Sequence, residues 1–320
     1  MLKGSVDWFF YNLLGLDPEV KIVTTLNFFV YDSLKIILLL FVMISVIGFL
    51  RTYLPQHKIK KWLSRKQAFG NVFASLFGSI TPFCSCSSIP IFLSFLKAGI
   101  PLGVTFSFLI TSPLINEYLV VLMLGFFGWK ITSLYILSGI IIGVASGLIL
   151  GMMKLEKYLE KDLITQKTGS AVMQLEYNFK IRVSLAIIEA KTIVKKLWLW
   201  IILGVGAGAF IHNYIPQEAI QSIIDRAGIF SVPMAVILGV PMYGSCAAIV
   251  PIAVALFRKG VPLGTALSFM MAIAALSLPE AMILKRAMKL RILILFFGIT
   301  TLGIIFTGYL FNLLQVVVIP

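Results

Sequence analysis

The chain states the same pattern twice. Lys97-Ala98-Gly99-Ile100-Pro101-Leu102-Gly103 returns as Arg258-Lys259-Gly260-Val261-Pro262-Leu263-Gly264, 161 residues on. Phe49-Leu50-Arg51-Thr52-Tyr53-Leu54-Pro55-Gln56 returns as Phe210-Ile211-His212-Asn213-Tyr214-Ile215-Pro216-Gln217, and Ser107-Phe108 as Ser268-Phe269. Ser85-Cys86 matches Ser245-Cys246 at an offset of 160, with Val250 as a one-residue insertion. Self-similarity held along one offset is the signature of an internal duplication, so whatever fold this chain takes, it takes twice.

The duplicated units belong in a bilayer. Of 320 residues, 59% are hydrophobic and only 12% charged, and the mean hydropathy is +1.01. A soluble domain of this size needs more polar surface, so the class is an all-α, polytopic integral membrane protein. The net charge of 27 − 13 = +14 would suggest nucleic acid in a soluble chain. Here the basic residues lie between apolar spans, where they set topology and meet anionic lipid, so no nucleic-acid partner is expected. The start, Met1-Leu2-Lys3-Gly4, carries no cleavable signal pattern, and insertion falls to the first spanning helix.

Charge predicts the orientation of the two copies. Residues 56–66 carry Lys58, Lys60, Lys61, Arg65 and Lys66 with no acidic residue, so that segment should be cytoplasmic. The connector from 154 to 196 holds nine Lys/Arg and should be cytoplasmic too. An even number of crossings must separate them. Spans at 101–124 and 130–152 supply two, so 68–98 must enter and leave on one side as a re-entrant hairpin. Its arms, about ten to fifteen residues each, are shorter than the roughly 20 a crossing needs. Three crossings plus one hairpin make each repeat odd, so the second copy is inverted. Residues 217–228 hold Arg226 against Glu218 and Asp225, as an external segment should, although Arg258 and Lys259 then fall outside. The expected organisation is an interfacial amphipathic segment at 1–30, a first membrane repeat at 31–153, a cytoplasmic connector at 154–190 and a second repeat at 191–320.

Two interruptions concentrate the candidate chemistry. Thr81-Pro82-Phe83-Cys84-Ser85-Cys86-Ser87-Ser88-Ile89-Pro90 and Tyr243-Gly244-Ser245-Cys246-Ala247-Ala248-Ile249-Val250-Pro251 are small, polar and proline-bracketed. Broken backbone at membrane depth survives only where protein buries it or where it lines a cavity. All three cysteines, Cys84, Cys86 and Cys246, lie here. Cys84 and Cys86 are too close for an easy disulfide with each other, so reduced thiols are expected. One reading is a soft-ligand site for a thiophilic solute; the other is cysteine as a small apolar packing residue. Zinc is disfavoured because the only histidines, His57 and His212, are far from both interruptions in sequence. Ser85, Ser87 and Ser245, with helix N-termini after each break, offer hydroxyl and N–H groups to a polar solute, or simply cap broken helices.

Asn116 and Glu117 lie within the third apolar segment, and Glu280 follows Leu278-Pro279 in its counterpart. An acid within a span is costly and is a functional hypothesis by default. Glu117, deeper in its segment, is the stronger candidate; Glu280, near Lys285, equally suits an interfacial ion pair. No nucleophile–base pair, phosphate-binding glycine loop or cofactor motif is present, so neither enzymatic activity nor a cofactor is expected.

Three strings together resemble one family. They are Pro82-Phe83-Cys84-Ser85-Cys86-Ser87-Ser88-Ile89-Pro90, Lys97-Ala98-Gly99-Ile100-Pro101-Leu102-Gly103, and Thr111-Ser112-Pro113-Leu114-Ile115-Asn116-Glu117. They are similar to the predicted-permease family that includes the organoarsenical efflux permease ArsP and the YraQ-type proteins. Gly244-Ser245-Cys246 and Ala275-Leu276-Ser277-Leu278-Pro279-Glu280 fit equally well. The resemblance runs from about Leu34 onward. It implies a multi-pass permease of a prokaryotic inner membrane, compatible with a homo-oligomer, moving a small-molecule solute. Efflux of trivalent organoarsenicals is the function attached to one branch. Gly244 stands where the first interruption has Cys84, so the thiols are not symmetric. A permease for another small metabolite or metal ion with structural cysteines, and a non-transporting membrane assembly protein, are the rival readings.

Overall fold

The computed structural model describes residues 2–17, 20–51, 67–81, 85–153, 155, 159, 179–214, 224, 227–242 and 246–318. The basic segment 56–66, most of the connector, most of 217–228, Cys84 and Ser245 lie outside the described residues. Among those described the chain is helical, with one isolated bridge between Leu159 and Met288.

The order is α1 (Leu2–Asp7, continuing as a π-helical stretch Trp8–Leu13), α2 (Lys21–Arg51), α3 (Gln67–Ile80), α4 (Ser85–Lys97), α5 (Leu102–Leu114) and α6 (Glu117–Met152). Then follow α7 (Phe179–Tyr214), α8 (Ser231–Gly239), α9 (Cys246–Arg258), α10 (Leu263–Ala275), α11 (Leu278–Ala287) and α12 (Leu290–Val318). Helix α2 begins at Lys21, inside the segment 1–30 expected to lie at the interface, and α7 takes in the last part of the connector. Among the described residues, three stretches are long and apolar enough to cross a membrane: Leu119–Met152, Leu263–Lys285 and Leu290–Gln315.

The first two of those stretches are broken. Gly128, at φ 75° and ψ 174°, divides α6 into residues 117–127 and 129–152. The chain leaves α5 through Ile115 and Asn116 before α6 starts, and leaves α10 through Leu276 and Ser277 before α11 starts. The expected span 101–124 is therefore two short helices. Pro113, three residues before Asn116, carries no amide hydrogen to extend the α5 ladder.

The duplication is plain in the helices themselves. α4 and α9 are both 13 residues, as are α5 and α10, and their starts are 161 apart. The turns between them match atom for atom. Gly99 (φ 74°) and Gly260 (φ 99°) take left-handed backbone that a Cβ would strain. Ile100 N–H donates to the Phe95 carbonyl at 3.1 Å, and Val261 N–H to the Leu256 carbonyl at 3.1 Å, closing each helix by the αL route. Pro101 and Pro262 then share φ −54°.

Contacts fix the directions. α5 runs antiparallel to α4: Ser88 meets Ser112 while the ring of Phe92 meets Phe106 at a tilt and that of Phe95 meets Phe108 edge-on, with centroids 5.3 Å apart in both pairs. α3 runs parallel to α5, with Ala74 in the Val104–Phe108 cluster and Gly78 against Phe108 and Ser112. α2 and α7 pack antiparallel, Phe29 lying on Gly206 and Phe49 5.5 Å from Phe179. Where α6 crosses α12, a Cβ on Gly303 would lie 3.1 Å from Ile142 Cγ2. Residues 142 and 303 are 161 apart, so each touches its own counterpart.

Close packing joins α5 to the distal half of α6. Gly103, Ser107, Thr111 and Ile115 meet Gly151, Gly147, Gly143 and Gly139 in antiparallel register. Apart from Ile115, the residue at every fourth position of both series is small, which lets the backbones approach and supplies van der Waals contact where lipid offers no hydrophobic drive. One turn beyond, Tyr135 Oη donates 2.9 Å to the Leu114 carbonyl, satisfying an acceptor orphaned by the break.

Candidate functional site

Both thiol-bearing strings become helix starts. Ser85, Cys86 and Ser87 form the first turn of α4, and Cys246 is the first residue of α9. Counted from the helix starts, Cys246 occupies the place of Ser85 and Cys86 that of Ala247, one residue from the register that the sequence match gives. Each helix carries its proline at the sixth position, Pro90 and Pro251. There the missing N–H removes one bond near the end of the first turns, where few ladder bonds exist to lose.

Register brings part of the candidate set to one level. Ser88 Oγ lies 2.8 Å from Ser112 Oγ, fully buried. Because α4 and α5 are antiparallel, moving back one turn from Ser88 reaches 85, and moving forward one turn from Ser112 reaches 116. The first turn of α4 and the break at Ile115–Asn116 therefore stand at the same height. Repeat two has the same helix lengths and turn, so the start of α9 stands level with the Leu276–Ser277 break. Ile89, Ile249 and Val250, just inside the two helices, belong to one continuous buried core.

The two acids differ from their expected order. Asn116 is buried at 7%, but Glu117, the first residue of α6, is exposed. Glu280 is 1% exposed, inside the first turn of α11 after Ser277. The reason is register. The helices α6 and α11 start 161 apart, so Glu280 takes the place of Leu119, itself fully buried. A carboxylate in a leucine position at a helix N-terminus has the favourable end of the helix dipole beside it.

The two further breaks, at Ile115–Asn116 and Leu276–Ser277, went unread in the apolar pattern. Their signals were present: Pro113 with Asn116 in the first copy, Ser277 with Pro279 in the second. Each repeat thus places two helix N-termini inside apolar sequence.

Comparison with known proteins gives a consistent answer. The family model described as "Predicted permease" matches residues 21–313. The chain is 22% identical over 292 residues to UPF0718 protein MJ0584 of Methanocaldococcus jannaschii, covering 74% of this chain and 80% of that one. It is 25% identical over 137 residues to UPF0718 protein YcgR of Bacillus subtilis, covering 42% of this chain and 46% of that one. No solved structure matches.

Proposed function

The chain belongs to the predicted-permease family, and on that premise we propose that it exports a small thiophilic solute, a trivalent organoarsenical above all, from the cytoplasm. The observation that carries this reading is the position of two cysteines along the helices. Cys86 and Cys246 sit in the first turns of two equivalent short helices whose next residues are buried in a common core. Thiolates select soft centres over hard ones, and helix starts inside a membrane protein gather around a transported solute. Cys84, Ser85, Ser87 and Ser245 complete the two strings; Asn116 and Glu117, and Glu280 in the other copy, supply polar groups at the level of the breaks.

The proposed architecture is two inverted repeats, each with a re-entrant hairpin at α3–α4 or α8–α9. Two features favour it. The equivalent helices α2 and α7 are antiparallel, as inversion requires, and Ile142 lies on its own counterpart, as a two-fold axis in the membrane plane requires. The α3–α4 and α4–α5 directions also reverse twice within helices of 14 and 13 residues, each about 20 Å long and short of the roughly 30 Å hydrocarbon core. The domain limits proposed are 1–30, 31–153, 154–190 and 191–320.

The test is export into everted vesicles, normalised to folded protein. Serine is nearly isosteric with cysteine but a poor soft ligand, so Cys86→Ser and Cys246→Ser should each weaken export of a trivalent organoarsenical at least tenfold. Pentavalent arsenicals should be unaffected. Full export by the double variant would remove the soft-ligand site and leave a permease for a different solute.

A further inference from the structure

Besides Ser33 on α2, four buried polar side chains in the first repeat have no hydrogen-bond partner among the described residues: Asn71 and Ser75 on α3, and Ser107 and Thr111 on α5. Each is fully buried. They are not scattered. The lipid-side face of α3 is Phe69, Val72, Phe73, Leu76 and Phe77, all exposed, so Asn71 and Ser75 point inward on the opposite face. A Cβ on Gly143 would meet Thr111 Oγ1 and stand 3.1 Å from Ser75 Oγ. A Cβ on Gly147 would meet Ser107 Oγ and stand 2.6 Å from the Gly103 carbonyl oxygen. Since α3 and α5 run parallel, Asn71 lies one turn from Ser75 as Ser107 does from Thr111. The result is two stacked layers, Ser75–Thr111–Gly143 and Asn71–Ser107–Gly147, along a three-helix seam.

The second repeat is the internal control. Gly78 meets Phe108 and Ser112 as Gly239 meets Phe269 and Ile273, which fixes the structural offset at 161 for this pair of helices. On that register Asn71, Ser75 and Thr111 correspond to Val232, Val236 and Ala272, and Gly143 to Ile304. All four are buried. Ser107 and Gly147 keep their types, as Ser268 and Gly308, and Ser268 donates to the Ile304 carbonyl at 3.4 Å. The fold is therefore satisfied by an apolar filling at these places. In the first repeat the same places hold unsatisfied oxygens and the Asn71 amide nitrogen, at a cost of about 1–3 kcal/mol for each group so buried, and Gly143 lets Thr111 and Ser75 approach.

The chemistry of the donor set narrows the ligand. Residues 67–80, 102–114 and 129–152 contain no acid and one base, Lys130, near the Gly128 end. Hydroxyl, carboxamide and carbonyl oxygens suit a hard cation. With no carboxylate to balance it, a divalent ion would leave two uncompensated charges at membrane depth, whereas a monovalent ion leaves one. An anion would find no positive partner. We propose that the α3–α5–α6 seam is a sodium site, separate from the thiol-bearing helix starts and independent of which solute they meet.

The full-length protein, purified in detergent, should show a thermal midpoint about 2–6 °C higher in sodium than in potassium or choline at equal ionic strength. Equilibrium binding of radioactive sodium should saturate near one ion per chain. Thr111→Val keeps the side-chain shape and removes one ligand oxygen, so it should weaken sodium binding at least tenfold, while Thr111→Ser should restore it. Asn71→Val, the residue of the second repeat, should act in the same direction. Absence of saturable sodium binding to the unaltered protein overturns the proposal whatever the variants do. So does a midpoint equally raised by potassium, or full sodium affinity in a folded Thr111→Val.

Discussion

Gly147→Ala tests a close backbone approach between α5 and α6. The added methyl would stand 2.6 Å from the Gly103 carbonyl oxygen and 3.0 Å from Ser107 Cβ, where ordinary contact begins at 3.4 Å. Ser107 can turn its hydroxyl aside, but the Gly103 carbonyl is backbone and already accepts a helical bond. The helices must part by about 3.4 − 2.6 ≈ 0.8 Å there. A gap of that size forfeits about a quarter to a half of each dispersion contact it opens, and the contacts at Gly143 and Gly151 open with it. Overpacking of this kind costs about 1–3 kcal/mol. The control is Gly125→Ala, earlier in the same helix, where a Cβ meets nothing within 4 Å and φ is not positive. Helix propensity alone then favours alanine by up to about 1 kcal/mol. Thermal unfolding of the two purified variants should move in opposite directions, Gly147→Ala down by several degrees and Gly125→Ala level or up. A Gly147→Ala midpoint equal to or above that of the parent would refute the close-approach reasoning.

Tyr135→Phe should destabilise by about 1–3 kcal/mol, because it leaves the buried Leu114 carbonyl without its donor. Phe296, its counterpart 161 residues on, performs no such bond, so Phe296→Leu should cost only packing; melting curves of both variants compare them. Glu280→Gln should lower solute export more than tenfold at unchanged membrane abundance, whereas Glu117→Gln, on an exposed residue, should lower it less. Vesicle flux normalised to folded protein reads the difference, and equal export by the Glu280 variant would return that acid to a structural role.

Some of this was legible in the residues and some was not, for physical reasons. Gly99-Ile100-Pro101 and Gly260-Val261-Pro262 announce a tight turn because only glycine takes the left-handed conformation cheaply and proline fixes the next φ; the structure has that turn twice. All-helical, membrane-embedded character followed from hydropathy. The break at Ile115–Asn116 escaped because apolar residues continue on both sides, and hydropathy averages over a two-residue gap. The rank of the acids depended on a shift of two positions between Glu117 and Glu280 within otherwise matched helices, which only the helix starts reveal. The Gly139, Gly143, Gly147 and Gly151 series is visible as a spacing of four, but its partner Gly103, Ser107 and Thr111 cannot be named until the chain direction is known.

The meeting of Ile142 with Gly303 has a consequence for how such a chain can be made. In a dimer of two identical halves, a residue on the rotation axis faces itself. Isoleucine against isoleucine would crowd that crossing, and glycine against glycine would leave a hollow. Joining both halves in one polypeptide removes the obligation: one copy carries the knob, the other the hole. The crossing point of α6 and α12 is thus a lock that a two-chain ancestor of strict symmetry could not have cut, and swapping its parts, Ile142→Gly with Gly303→Ile, should be better tolerated than either change alone.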